Sequence, residues 1–174
     1  MRRFSLILLL TVAPTVLTSG ACRSRPPSDD DFYAQMLPFD SASVRMATAR
    51  DTISLTLQLA RSAEEQRLGL MERLQLGERS GMLFIYRRAQ PPDAGFWMYR
   101  TRIPLDIAFL DSAGVVRAIR AMEPCPERDS DRCPDYAPGV PYRYALEMNA
   151  GFFERLGIAV ATGRLLVEEL PVER

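Results

Sequence analysis

The chain has 174 residues, of which 47% are hydrophobic, and its 22 basic and 22 acidic residues give a formal net charge of zero. Every basic residue is an arginine, and the absence of histidine and lysine excludes imidazole bases, Ser-His-Asp relays, histidine metal ligands and Schiff-base lysines. Because the arginines are interspersed with acids, no nucleic-acid partner is expected, and the sequence indicates no metal site and no cofactor.

The start of the chain has the organisation of an export signal. Two arginines near the N-terminus precede an apolar stretch over residues 4–17, and small residues lead directly to Cys22. This order is typical of a signal peptide. Because the apolar stretch is short and interrupted by Pro14, a cleaved signal over residues 1–21 is favoured over a permanent transmembrane helix.

Cys22 is open to two interpretations. Ser19-Gly20-Ala21 before it resembles a bacterial lipobox, in which the cysteine is acylated and becomes the mature N-terminus. The protein would then be held on a membrane of the cell envelope, facing the periplasm or the exterior. The same small residues also suit ordinary cleavage after Ala21, which predicts a soluble secreted protein. We favour lipidation of Cys22, followed by a proline- and aspartate-rich flexible tether over residues 22–42.

Residues 43–174 are predicted to form a single β-rich domain. Residues 52–59 alternate apolar and polar side chains, which is typical of a half-buried strand, and residues 44–49 are expected to pair with it. A capping box at Ser62 opens a short helix that Gly69 ends.

Further strands and one more helix follow towards the C-terminus. A turn ending in Gly114 separates two apolar runs and predicts a β-hairpin. Asn149 is predicted to cap a short helix that extends through Leu156. The other strand predictions rest on apolar runs or on alternation, at 82–86, 96–99, 105–110, 115–122, 142–148 and 164–170. The count favours a mainly β fold, a small β-sandwich or barrel of about seven to eight short strands with two short helices.

Five motifs occur in order along this domain. They are Gly69-Leu70-Met71-Glu72-Arg73, Gly81-Met82-Leu83-Phe84, Phe96-Trp97-Met98, Thr101-Arg102-Ile103-Pro104-Leu105-Asp106-Ile107 and Ala145-Leu146-Glu147-Met148-Asn149-Ala150-Gly151. With these motifs, residues 50–168 resemble the domain of unknown function 192 family. The resemblance implies a compact β-sandwich-like fold that is often exported. It implies no activity, because the family is uncharacterised.

Cys125 and Cys133 enclose a polar loop of seven residues. In an oxidising compartment such a pair is expected to form a structural disulfide, which stabilises a protein by roughly 2 kcal/mol for a loop of this size. The alternative is a redox pair, but the spacing is not that of a C-x-x-C site, and no histidine or lysine is available to lower a thiol pKa. We favour the structural disulfide.

The predicted ligand-binding residues are Trp97, Met98, Thr101, Asp106 and Glu147. The single tryptophan offers an aromatic platform, and the two carboxylates suit a sugar, a peptide or a cationic ligand. The alternative is that Trp97 belongs to the core and that both acids are held by Arg100, Arg102 or backbone N–H groups.

Three functions follow from these residues. The favoured one is a non-enzymatic cell-envelope module that binds a small ligand or a protein partner. The second is a hydrolase that uses Asp106 and Glu147 as paired carboxylates, which requires both in one open cleft. The third is a purely structural envelope protein. No catalytic residue is assigned, and the balance leans against an enzyme because the usual bases are absent.

Overall fold

A computed structural model describes residues 39–126 and 129–171. The predicted signal peptide, Cys22 and the tether up to residue 38 lie outside the described residues, so these features stay predictions. The first strand, β1 (Ser41–Ala47), begins two residues before the predicted start of the domain.

The predicted N-terminal hairpin is confirmed. Strand β1 pairs antiparallel with β2 (Thr52–Ala60), with Val44 opposite Leu55 and Met46 opposite Ile53. Alternate side chains of both strands are buried, because a strand that covers a core on one side turns every second residue towards it.

The predicted helix, α1 (Ala63–Leu68), connects two parallel strands. Its capping box is complete: the Ser62 side chain accepts from the backbone of Glu65, and the Glu65 side chain accepts from the backbone of Ser62. The helix ends at Gly69, which has a φ of 49°, a conformation that glycine adopts most easily. The chain then enters β3 (Ser80–Gln90), which pairs parallel with β2.

The remaining strands extend the sheet beyond β3. Strands β5 (Leu105–Leu110) and β6 (Val116–Met122) form the predicted hairpin, and β8 (Tyr142–Asn149) lies between β5 and β3. The strand order is β6-β5-β8-β3-β2-β1-β9, with β9 (Arg164–Leu165) at the far edge. A bridge between Val115 and Arg164 joins the two ends of the sheet, so the sheet curls into a half-barrel.

The predicted fold class is confirmed: the protein is mainly β, with nine strands and two short α-helices in its described part. The two strands outside the large sheet, β4 (Phe96–Trp97) and β7 (Asp135–Tyr136), pair with each other. The predicted strand 164–170 is shorter than expected, because a 3₁₀ turn at Val167–Glu169 follows β9 directly.

Each face of the large sheet is covered by its own hydrophobic core. One face, called the α2 face, packs against Phe152 and Phe153 of the second helix, α2 (Phe152–Arg155). The opposite face, called the pocket face, is covered by the segment at residues 94–103 and by Leu70. This double coverage explains why every residue of β5 is buried.

The predicted cap of the second helix is wrong. Helix α2 has Gly151, in a left-handed conformation, at its N-cap. Asn149 instead donates from its side-chain amide to the carbonyls of Leu76 and Gly77, at 3.1 and 3.0 Å. It therefore joins β8 to the loop before β3. None of the helices within residues 39–126 and 129–171 is long and apolar enough to cross a membrane.

Candidate functional site

A small cavity lies on the pocket face, between the sheet and the segments that cover it. Its volume is about 110 Å³. Strand β3 contributes Phe84 and Tyr86 to the cavity wall, and β8 contributes Glu147. The covering walls come from the end of α1 with the loop after it, residues 66–71, and from the segment at residues 95–101. The cavity is thus lined by parts of the chain that are far apart in sequence.

Glu147 forms the floor of this cavity. It lies opposite Met82 of β3 and Ile107 of β5, so its carboxyl group is flanked by apolar side chains, and only 4% of the residue is exposed. Within the described part of the chain, no hydrogen bond or ion pair reaches this carboxyl group. Burial raises the pKa of Glu147 to about 8, because removal from water penalises the charged form.

The nearest tyrosine hydroxyls are bonded to other groups. Tyr86 is hydrogen-bonded to Tyr142, and the Tyr142 hydroxyl donates to the carbonyl of Ala94 at 3.0 Å. Burial raises the pKa of both tyrosines, that of Tyr142 to about 12. The charge of Glu147 also raises the pKa of Tyr86, which places the two groups in the same electrostatic environment. Both tyrosines therefore remain neutral in the range where Glu147 titrates.

Trp97 forms part of the rim of the cavity. It is 43% exposed, and its ring lies 5.6 Å from that of Tyr99, which also lines the cavity. The backbone of Trp97 is held by pairing with Asp135 of β7. Met98 is fully buried in the core and does not line the cavity. Its neighbours Trp97 and Tyr99 do line it. Thr101 is buried and forms part of the cavity wall.

Glu72 fixes the two covering segments to each other. Its carboxylate accepts from the guanidinium of Arg100 at 2.7 Å and from that of Arg102. Its backbone N–H donates to the carbonyl of Arg100 at 2.8 Å. Glu72 and Arg100 both have positive φ angles, 59° and 56°, which non-glycine residues rarely adopt. The ion pairs and the backbone bond stabilise this unfavourable geometry.

The predicted cysteine pair supports the same segment. The sulfurs of Cys125 and Cys133 are 2.14 Å apart, at disulfide distance. The backbone N–H of Cys125 donates to the carbonyl of Thr101 at 3.1 Å, and the backbone N–H of Arg100 donates to the carbonyl of Cys125 at 2.8 Å. The cysteine loop therefore holds the segment that carries Trp97 against the cavity.

Asp106 lies away from the cavity, on the α2 face. Neighbouring residues of a strand point to opposite faces, and Ile107 is the residue that shares the pocket face with Glu147. Asp106 is 7% exposed and accepts from the backbone N–H groups at the start of α2, which belong to Gly151, Phe152 and Phe153. Burial nevertheless dominates and raises its pKa. Because the two carboxyl groups lie on opposite faces, they form no shared cleft, and the paired-carboxylate hydrolase is not supported.

Sequence reasoning missed several wall residues, including Tyr86, Tyr99 and Arg67. These three residues lie outside the five motifs but within two positions of one of them, and each motif contributes at least one residue of its own to the cavity wall. The motif residues at the wall are Gly69, Leu70, Met71, Phe84, Phe96, Trp97, Thr101 and Glu147. No group of three or more cysteine, aspartate or glutamate side chains suitable for a metal occurs in the described ranges.

Comparisons with known proteins agree with this architecture. A model of the family DUF192, described as an uncharacterized ACR, matches residues 44–163. The crystal structure of a proposed transcription regulator from Sinorhizobium meliloti 1021 is 34% identical, with a TM-score of 0.64, and the match covers 75% of this chain and 95% of that chain. A protein of unknown function from Novosphingobium aromaticivorans DSM 12444 is 32% identical, with a TM-score of 0.61, over 72% and 84% of the two chains. No curated protein matches the sequence significantly.

Proposed function

This chain belongs to the DUF192 family, and from that premise we propose that it is a non-enzymatic module that binds a small ligand in the cavity between Trp97 and Glu147. One observation carries the proposal: Glu147 is a buried acid whose carboxyl group lies at the floor of a cavity that a ligand can enter. Burial of this group costs free energy in its charged form, as the raised pKa of Glu147 indicates. A ligand that satisfies this group recovers that free energy, so the site is prepared for binding.

The cavity wall favours binding over catalysis. Glu147 is the single acid among the described wall residues, and the other polar side chains there are Gln66, Arg67, Tyr86, Tyr99 and Thr101. A hydrolase of the paired-carboxylate type needs a second acid within reach of the reacting atom. The regulator description of the Sinorhizobium protein is not extended to this chain. The arginines of this chain are interspersed with acids along the sequence, and such a distribution does not favour binding to a nucleic acid.

We further propose that the module works at the surface of a cell-envelope membrane, attached through Cys22. Cells grown with an alkyne-tagged fatty acid should incorporate the tag into the wild-type protein and should not incorporate it into Cys22→Ser. Cys125→Ser is the matched control and should stay labelled, because its cysteine lies in the folded domain. An unlabelled wild-type protein that is recovered in the soluble fraction would instead establish simple secretion.

Replacing Trp97 with leucine should weaken ligand binding at least tenfold while leaving the melting temperature of the empty protein nearly unchanged. The ring lies at the cavity rim and is partly exposed, so it contributes more to a ligand contact than to the core. The measurement is a thermal-shift screen of the full chain and of Trp97→Leu against a set of amines, sugars and short peptides.

Val160→Ala is the control for this screen. Val160 is also partly exposed, at 49%, and lies outside the cavity wall. The melting temperature of Val160→Ala should respond to every compound as that of the wild-type protein does. If no compound stabilises the wild-type protein, or if Trp97→Leu responds identically, the small-ligand function is wrong.

A further inference from the structure

Resting on the proposed binding function, we propose that the ligand of this cavity is an organic cation whose ammonium or guanidinium group pairs with the carboxylate of Glu147. The positive group would occupy the cavity between the aromatic side chains, and the rest of the ligand would extend outwards past Trp97. The ligand class is therefore a small amine or guanidine compound, or a larger molecule that ends in such a group.

The chemistry of the cavity wall favours a positive charge. Phe84, Tyr86, Phe96, Trp97 and Tyr99 all line the cavity, and aromatic faces attract ammonium and guanidinium groups. The floor adds the acid Glu147, whose raised pKa is caused by burial, and the arginine among the described wall residues, Arg67, belongs to α1 and not to the sheet. The protonated carboxyl group of Glu147 can donate a hydrogen bond to a neutral ligand. The ionised carboxylate repels an anion, so an anionic ligand is disfavoured.

The size of the cavity limits what can enter it. Its volume of about 110 Å³ leaves room beside Glu147 for a small charged group such as methylammonium or guanidinium. The segments that cover the cavity are held by the Glu72 ion pairs with Arg100 and Arg102.

The binding of a cation to Glu147 should be coupled to the loss of a proton. With the pKa of Glu147 near 8, the carboxyl group of the empty cavity is largely protonated at pH 6 to 7. Binding of a cation requires the ionised form, so the observed affinity should rise about tenfold per pH unit below pH 8 and level off above it. The other titratable or charged side chains at the cavity are Arg67 from α1, Tyr86 from β3 and Tyr99 from the covering segment.

The experiment uses the fluorescence of Trp97, which is the single tryptophan of the chain and lines the cavity. The full chain is titrated with methylguanidinium and with methylurea, which has a similar shape and no charge, at pH 6 and pH 8. We expect saturable binding of methylguanidinium that is at least tenfold tighter than that of methylurea at pH 8. We also expect binding of methylguanidinium to weaken at least tenfold at pH 6.

Glu147→Gln should bind methylguanidinium no better than methylurea and should show no pH dependence, whereas Glu147→Asp should keep the preference for the cation. If Glu147→Gln fails to fold, the titrations of the wild-type protein with the two probes at pH 6 and pH 8 still test the cation proposal.

The outcomes separate the two proposals. Binding of neutral compounds that depends on Trp97, without a preference for methylguanidinium, would overturn the cation proposal and leave the binding function intact. A wild-type protein to which neither these probes nor any compound of the screen binds would overturn both. If Glu147→Gln still binds methylguanidinium tightly, a group other than the Glu147 carboxylate binds the cation, and the cation proposal is also overturned.

Discussion

Glu147→Gln should be more stable than the wild-type protein at pH 9 and about equally stable at pH 5. The pKa of Glu147 is about 8 in the folded protein and 4.5 for a free glutamate, so between these values the folded state binds more protons than the unfolded state. The free energy of unfolding of the wild-type protein therefore falls as pH rises from about 4.5 to about 8, and the full penalty is present above that range. Glutamine carries no charge at any pH and avoids the penalty.

We expect Glu147→Gln to gain roughly 2–4 kcal/mol over the wild-type protein at pH 9, since one pKa unit corresponds to 1.36 kcal/mol and partial entry of water reduces the full value. Urea unfolding at pH 5, 7 and 9 measures this difference. The matched control is Glu123→Gln, because Glu123 is exposed, and it should follow the wild-type pH profile. Parallel profiles for wild type and Glu147→Gln would show that the carboxyl group is not buried as described.

Asp106→Ala should lower the free energy of unfolding by about 2–3 kcal/mol, because a buried acceptor for several N–H groups is lost. The carboxylate accepts from backbone N–H groups at the start of α2, and the residue at its N-cap, Gly151, has no side chain that could replace it. Asp106→Asn keeps a carbonyl oxygen as an acceptor and should cost less.

Thermal and urea unfolding of Asp106→Ala test this role, together with the binding of any cavity ligand. The control is Asp40→Ala, whose side chain is 87% exposed and makes a single ion pair at 3.8 Å, so its effect should be small. Binding to the folded Asp106→Ala protein should be unchanged, because Asp106 lies on the α2 face. A normal melting temperature combined with lost binding would instead return Asp106 to the ligand site.

The location of the cavity also explains how its wall side chains can be held in fixed positions for a ligand. Its floor belongs to strands at the centre of the sheet, β3 and β8, each of which pairs with a neighbouring strand on both sides. Gly81 allows these strands to lie close together at this point, since a Cβ there would lie 2.3 Å from the backbone oxygen of Glu147. Sites built on a rigid sheet and closed by tied segments hold their side chains more accurately than sites on free loops.

Local features of the molecule were readable from the sequence. The capping box at Ser62, the alternation in β2 and the turn between β5 and β6 depend on residues within a few positions of each other. The mainly β fold follows from the sum of such local patterns. Where the local pattern was ambiguous, as at Asn149, the prediction was wrong, because its amide has partners more than 70 residues away.

The relation between the two acids was decided by tertiary structure. Alternation assigns residues of one strand to two faces, but it does not say which face of β5 adjoins which face of β8. The pairing of Ile107 with Glu147 settles this, and it places Asp106 on the opposite side. One acid therefore stabilises the start of α2, and the other forms the floor of the cavity.

The sequence by itself determined most strands of the large sheet, the first helix and the cysteine pair, and it selected Trp97 and Glu147 as residues to test. Only the tertiary structure decided that Glu147 is buried and that Asp106 belongs to another environment. The physical reason is that burial depends on which distant segments cover a residue. Here those segments are joined by Glu72, Arg100 and the backbone of Cys125, and contacts of this kind leave no periodic trace in a single sequence.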